Sequence, residues 1–290
     1  IPHYNEGQLE DAVVRIKAAK KPLMLVGSGA VMNARKADAL AEAIKKIGVP
    51  VYLSGMGRGL LGKDNDLQMR HKRKNAIKDA DLIILAGVPN DFRLDYGNHI
   101  GHRSFISINR SKTDLNKNKK PSLGILADPQ EFLIALSHKI QQNYPDWITH
   151  LKKNDAKREA EIDAQAAAPV NTGINPIKLF RELEKKLDDN TILVADGGDF
   201  VGTAAYTLQP RSPLGWLDPG VFGTLGVGGG FALGAKLVHP EKDVFIIYGD
   251  GSAGYSLMEY DTFKRFNLPV ISVIGNDACW SQIARDQVEF

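Results

Sequence analysis

Two aspartates stand where a hard cation could be held. The run Tyr248-Gly249-Asp250-Gly251-Ser252 follows the apolar stretch Val244-Phe245-Ile246-Ile247. A second apolar run, Pro269-Val270-Ile271-Ser272-Val273-Ile274, ends at Gly275-Asn276-Asp277. Two strands therefore deliver Asp250 and Asp277 to one edge of a parallel sheet, the edge at which open α/β sheets bind ligands. Hard carboxylate oxygens, beside small residues that expose backbone N–H groups, suit a magnesium–diphosphate. Gly249-Asp250-Gly251 alone would be an ordinary turn after a strand. Asp277 on the next strand and the glycine-rich stretch 223–230 upstream set it apart.

The elements that must position these residues form two βα arrays joined by a charged connector. In the first, Pro22-Leu23-Met24-Leu25-Val26 reads as a strand that turns at Gly27-Ser28-Gly29. A helix follows with Ala37, Leu40, Ala41, Ile44 and Ile47 on one face, stopped by Gly48 and Pro50. Further strands are predicted at 51–53, 82–86 and 105–108, with a short one at Gly124-Ile125-Leu126. Asp128-Pro129-Gln130-Glu131 starts a helix: Asp caps it, Pro fits its first turn and Glu can close a capping box. From 143 to 168 the composition shifts to Lys, Glu, Asp and Ala, at a spacing that suits an exposed helix and linker. Asn175-Pro176 opens an amphipathic helix, and strands at 191–195, 244–248 and 270–274 follow with helices between them. This alternation predicts an α/β protein with mostly parallel sheets. The expected organisation is a domain over 1–142, a charged helical linker over 143–175 and a second domain over 176–290. Three strands are few for a parallel sheet, which is normally covered on both faces.

Composition excludes several classes. Hydrophobic residues make up 43% and charged residues 24% of the 290, and the net charge is +3, which gives no reason to expect nucleic acid as a partner. A single cysteine, Cys279, rules out an internal disulfide and a cysteine-based metal cluster. The seven histidines show no metal-ligand spacing. No apolar run approaches the roughly 18 residues of a membrane span. The chain starts at Ile1 and stops at Phe290, close behind a candidate active-site loop, so it is expected to be a piece of a longer or split protein.

Four segments carry a resemblance. They are Asp196-Gly197-Gly198-Asp199-Phe200-Val201-Gly202-Thr203-Ala204-Ala205, Leu217-Asp218-Pro219-Gly220, Phe222-Gly223-Thr224-Leu225-Gly226-Val227-Gly228 and Gly275-Asn276-Asp277-Ala278-Cys279-Trp280. They resemble the thiamine diphosphate (ThDP) enzymes and, among them, the acetolactate synthase-like 2-hydroxyacyl-CoA lyases. The resemblance runs over nearly the whole chain and is most specific from Val194 to Gln287. It implies a Rossmann-like middle domain followed by the first half of a ThDP diphosphate-binding domain. It also implies a ThDP- and magnesium-dependent lyase that breaks the C1–C2 bond of a 2-hydroxyacyl-CoA, releasing an aldehyde and formyl-CoA. An acetolactate synthase-type carboligase is the second enzymatic expectation. A truncated, non-catalytic subunit of a larger complex is the competing one, because the family's N-terminal-domain glutamate and the end of its cofactor domain are not in this chain. The resemblance further implies a homo-oligomer, dimer or tetramer, and a site completed by missing domains or another chain. It suggests the endoplasmic reticulum, whereas incorporation into a larger assembly would suit a mitochondrion.

Site roles follow from the resemblance residue by residue. Asp250 and Asp277 would supply metal oxygens, with the main-chain carbonyl of Cys279 as a third. The family usually has Asn where this chain has Asp277, so an extra negative charge lies beside the diphosphate. Gly251 and Ser252 would bring backbone N–H groups to the phosphates, with Gly249 beside them among the cofactor-binding residues. Leu225, beside Gly223, matches the bulky residue that holds ThDP bent; alone it would read as plain core. Asp199 and Phe200 match positions that face the diphosphate and substrate. Cys279 lacks a nearby general base and reads as a small buried residue, not a nucleophile.

Other motifs read more plainly. Gly27-Ser28-Gly29 lacks a third glycine at Met32 and a following acidic partner, so it reads as a tight βα turn. Where related enzymes carry Gly-x-Arg, this chain has Gly87-Val88-Pro89, and FAD is not expected. Arg70-His71-Lys72-Arg73-Lys74 reads as a solvated helix face, with contact to acyl-CoA phosphates as the alternative.

Overall fold

The computed structural model describes residues 3–289 and divides them into two compact units, one ending at Arg158 and the other beginning at Glu159.

The first unit is built on the predicted apolar runs. Its strands are β1 (Pro22–Val26), β2 (Val51–Leu53), β3 (Gln68–Met69), β4 (Leu82–Ala86), β5 (Ser104–Asn109) and β6 (Leu123–Leu126). They form a six-stranded parallel sheet in the order β3-β2-β1-β4-β5-β6. β1 and β4 are buried throughout, as central strands of a sheet covered on both faces must be. The helices are α1 (Glu6–Ala18), α2 (Ala37–Ile47), α3 (Arg73–Asp79), α4 (Lys112–Leu115) and α5 (Pro129–Lys139). α5 packs against α1 and α2, whose buried residues include Leu9, Ile16, Leu40, Ile44 and Ile47. Asp128 caps α5 by accepting from the Gln130 N–H at 2.9 Å, as predicted. Glu131 closes no capping box; its carboxylate pairs with Lys36 at 2.5 Å. Gly27-Ser28-Gly29 does form a tight turn. Its backbone meets the turn after β4 so closely that a Cβ on Gly87 would lie 2.4 Å from the Ala30 nitrogen.

The charged connector is one long helix, α6 (Pro145–Ala167), and it is not simply exposed. Trp147 and Leu151 are buried in the first unit's core, and the Trp147 indole donates to the Pro22 carbonyl at 2.9 Å. Asp155 accepts the backbone N–H groups of Arg70 and His71 at 2.7 and 2.9 Å. In the second unit Ile162 and Ala166 are buried, and Glu159 and Asp163 pair with Arg181. The predicted end of the first domain at 142 therefore falls short, because the neighbouring sheet supplies apolar surface that the helix's own composition does not reveal. The basic run is likewise only partly solvated. His71 is buried, its carbonyl accepts from the Tyr52 hydroxyl at 2.6 Å, and Arg73 donates to the Arg93 carbonyl.

The second unit contains α7 (Pro176–Glu184), β7 (Thr191–Asp196), α8 (Gly198–Thr207), β8 (Trp216–Leu217), α9 (Gly228–Val238), β9 (Asp243–Gly249), α10 (Asp250–Ser256), α11 (Glu259–Arg265), β10 (Ile271–Gly275) and α12 (Ser281–Glu289). Its sheet has four parallel strands in the order β10-β9-β7-β8, one more than predicted. β8 and β3 are two residues each, too short to give a periodic signal. Alternation along the strands supplies two cores. Ile192, Val194, Val244, Ile246 and Tyr248 face α9 and α11; Leu193, Ala195 and Ile247 face Phe180, Ala204 and Trp216. β10 is an edge strand, with Ile271 and Ile274 exposed at 47% and 45%. No described helix is long and apolar enough to cross a membrane.

Candidate active site

Three strands of the second sheet end flush. Asp196 of β7 pairs in register with Tyr248 of β9, and Gly249 of β9 with Gly275 of β10. Asp250 thus follows the end of β9 directly, as the first residue of α10, and Asp277 lies two residues beyond the end of β10 on the adjacent strand. Both aspartates stand at one edge, as their sequence context predicts.

The floor of this edge is packed tightly. Gly197 adopts φ +90°, and a Cβ there would lie 2.7 Å from the Ser252 side chain and 2.9 Å from Leu225 Cδ2. A Cβ on Gly249 would lie 3.2 Å from the Gly197 carbonyl oxygen. The Ser252 hydroxyl donates to the main-chain carbonyls of Asp196 and of Gly249, tying the ends of β7 and β9 together. The one hydroxyl proton is engaged within the fold, so the donor Ser252 can turn to a ligand is its main-chain N–H. The Trp280 ring lies against Gly251, 3.3 Å from its Cβ position. Leu225, Gly249, Asp250, Gly251 and Ser252 are therefore brought together.

The carboxylates suit a hard cation. Asp250 Oδ1 accepts from the Gly251 N–H at 2.8 Å. Asp277 is exposed; its Oδ1 accepts from the Cys279 N–H at 3.0 Å and its Oδ2 from the Ser281 hydroxyl at 2.6 Å. These bonds orient the carboxylates while leaving lone pairs on each. Among the described residues no group of three His, Cys, Asp or Glu could hold a metal. A magnesium ion here would need only the two carboxylates, a carbonyl and oxygens from a ligand or water. The donor chemistry fits that ion.

Other predicted residues lie differently. The Phe200 ring packs on Phe180, centroids 4.6 Å apart, and stands where a Gly275 side chain would go. The half-buried ring packs against the core beneath the sheet edge. Cys279 is exposed rather than buried, because it sits in the loop beyond β10. Asp199 is exposed in the first turn of α8, and Gly223 is exposed at the end of the turn 220–222; neither joins the packed floor.

Asp196 carries a contact that the sequence reading did not assign. Its side chain is fully buried, and its carboxylate accepts from the N–H groups of Gly226 at 3.1 Å and Gly228 at 2.7 Å. Burial pushes its pKa above the ordinary carboxylate value, against the pull of those two bonds. The available signal was an acidic residue at the last position of a buried strand, ahead of two glycines.

This fold defines an α/β protein with two parallel sheets, the second carrying both aspartates at one edge. Residues 9–136 match the family described as thiamine pyrophosphate enzyme, central domain, and residues 196–290 match thiamine pyrophosphate enzyme, C-terminal TPP binding domain. The chain belongs to the thiamine pyrophosphate (ThDP) enzymes. It is 49% identical over 298 residues to 2-hydroxyacyl-CoA lyase 2 of Caenorhabditis elegans, covering 99% of this chain and 47% of that protein. Identity to 2-hydroxyacyl-CoA lyase 2 of Homo sapiens is 46% over 295 residues, again 99% and 47%. The acetolactate synthase large subunit IlvG of Mycobacterium tuberculosis is 32% identical over 273 residues, 94% of this chain and 50% of that protein. The chain thus spans about half the length of these curated relatives.

Proposed function

We propose that this chain is the middle and cofactor-anchoring part of a ThDP- and magnesium-dependent lyase that cleaves 2-hydroxyacyl-CoA to an aldehyde and formyl-CoA. The observation that carries the reading is the flush edge of β7, β9 and β10, with Asp250 and Asp277 on adjacent strand ends over a glycine floor. The higher identity to the two lyases than to the acetolactate synthase favours cleavage over carboligation.

Each residue has a role in this reading. Asp250, Asp277 and the Cys279 carbonyl hold magnesium, and the N–H group of Ser252 meets the diphosphate, joined by that of Gly251 once it exchanges Asp250 Oδ1 for a phosphate oxygen. Leu225, leaning on Gly197, supports the bend between the cofactor's rings. When bound, ThDP supplies the nucleophilic carbon and takes the electron pair of the broken C1–C2 bond. The packed glycine backbone excludes water from the floor, and the Trp280 ring beside Gly251 bounds the same site. A homo-oligomer, or another chain, completes the site with the family's glutamate.

The test uses the native protein, ThDP, magnesium and a 2-hydroxyacyl-CoA. Formyl-CoA and aldehyde should form together. Asp250→Ala should abolish magnesium-dependent ThDP binding while the fold survives, since this carboxylate supports no apolar core. Unchanged ThDP affinity in that variant, measured by calorimetry, defeats the metal assignment. Acetolactate from pyruvate, without acyl-CoA cleavage, would select the carboligase. A folded native protein that binds no ThDP would select a structural subunit.

A further inference from the structure

We propose that Asp196 is a positioning residue, whose carboxylate clamps the glycine loop so that Leu225 is held at the floor of the cofactor site. The inference rests on the reading of that site as a ThDP cradle.

The loop has no regular secondary structure to define its shape, and besides the Asp196 carboxylate it meets α10, where a Cβ on Gly226 would lie 2.6 Å from Tyr255 Cβ. Residues 223–227 form no helix or strand, Gly223 is exposed, and Gly226 adopts φ +89°. Leu225 is flanked on its C-terminal side by the two N–H groups that the Asp196 carboxylate accepts, those of Gly226 and Gly228. Its own Cδ2 lies against Gly197, the residue that follows Asp196. One strand end therefore holds the loop twice, by its carboxylate on one side of Leu225 and by a glycine surface under the side chain.

The surroundings show that the contact has a fixed shape. A Cβ on Gly228 would lie 2.9 Å from Asp196 Oδ2 and 2.7 Å from the Tyr248 ring, so backbone and carboxylate meet with no space for a side chain. The Tyr248 hydroxyl is hydrogen-bonded to the Ser256 hydroxyl at 2.7 Å, which anchors that wall to α10. The Asp196 carbonyl accepts from Ser252, so the same residue joins the Leu225 loop to the first turn of α10, where Asp250 stands. Asp196 touches neither reacting atoms nor the proposed metal; it acts through Leu225.

The experiment compares Asp196→Asn with wild type in the native protein. Asn offers one acceptor oxygen where two N–H groups need one each, and its NH2 group would face a donor. Amide hydrogen exchange at Gly226 and Gly228, read without cofactor, should accelerate about tenfold, the order that loss of one hydrogen bond carries. ThDP affinity should fall by about the same factor, and kcat should fall while KM for the acyl-CoA is unchanged. Adding Asp196→Asn to Leu225→Ala should weaken ThDP binding no further than Leu225→Ala alone, since both act through one side chain.

Faster exchange with normal ThDP affinity and kcat would reduce Asp196 to a structural role and overturn the proposal. Independent, multiplying effects of the two substitutions would overturn it as well. If wild type binds no ThDP, the cradle reading falls and the positioning role falls with it, while the exchange data still decide whether the clamp exists. Should Asp196→Asn fail to fold, Asp196→Glu replaces it. Glu keeps both acceptor oxygens but displaces them by one methylene, so the amides stay protected and ThDP affinity falls. Unchanged affinity in that variant would defeat the proposal.

Discussion

Gly275, the last residue of β10, has the Phe200 ring where its side chain would be: a Cβ there would lie 2.2 Å from Phe200 Cγ. The ring cannot simply step aside, because its other neighbour is Phe180. This contact locks the strand end that carries Asp277 onto α8. Gly275→Ala should therefore destabilise the second unit by about 1–3 kcal/mol, the usual cost of overpacking. Thermal melting checks it, and pairing Gly275→Ala with Phe200→Ala should recover part of the loss. An unchanged melting temperature in the single variant would contradict the contact.

Asp277→Asn keeps an oxygen ligand and removes one negative charge beside the proposed diphosphate. Calorimetry should find equal or tighter ThDP binding in the native protein. A loss of more than tenfold, about 1.4 kcal/mol, would show that the carboxylate itself is needed. The Ser281 hydroxyl and Cys279 N–H that orient Asp277 would then be the next residues to probe.

A polypeptide covering 1–158 should fold as a stable unit, whereas one ending at 142 should be markedly weaker. The shorter piece loses Trp147, Leu151 and the Asp155 clamp on Arg70 and His71. Loss of a buried Trp alone costs on the order of 3–5 kcal/mol. Urea denaturation of the two pieces measures the difference, and equal midpoints would mean that the amino-terminal half of α6 contributes nothing.

Asp155 should give the 1–158 piece a distinctive pH response. Burial raises its carboxyl above the ordinary 3.8, although the N–H groups and charges of Arg70 and His71 pull it down. A raised pKa in the folded state means that the folded chain binds the proton more tightly. The resulting stabilisation is complete below 3.8 and is lost as pH rises through the raised folded value. Relative to Asp155→Asn, the wild-type urea midpoint should therefore improve as pH falls from 7 towards 4. The opposite slope would mean that the hydrogen bonds to Asp155 outweigh its burial.

Local chain chemistry was enough for the strands, caps and turns that depend on neighbours in sequence. The apolar runs at 22–26, 82–86, 191–195 and 244–248 read as strands, Asp128 as a helix cap and Asn175-Pro176 as a helix start, and the fold bears each out. Because consecutive parallel strands joined by helices tend to lie side by side, the meeting of Asp250 and Asp277 at one edge was legible too. Tertiary structure decided the rest. Trp147 is core rather than linker because β1 offers it a carbonyl and an apolar face. Phe200 packs against the core because Phe180 and Gly275 close around its ring. Asp196 clamps N–H groups thirty and thirty-two residues further along the chain, a bond that no local pattern announces. β3 and β8 exist as strands only because a neighbouring strand pairs with them. In each case the deciding partner is distant in sequence, so its chemistry becomes visible only when the chain has folded back on itself.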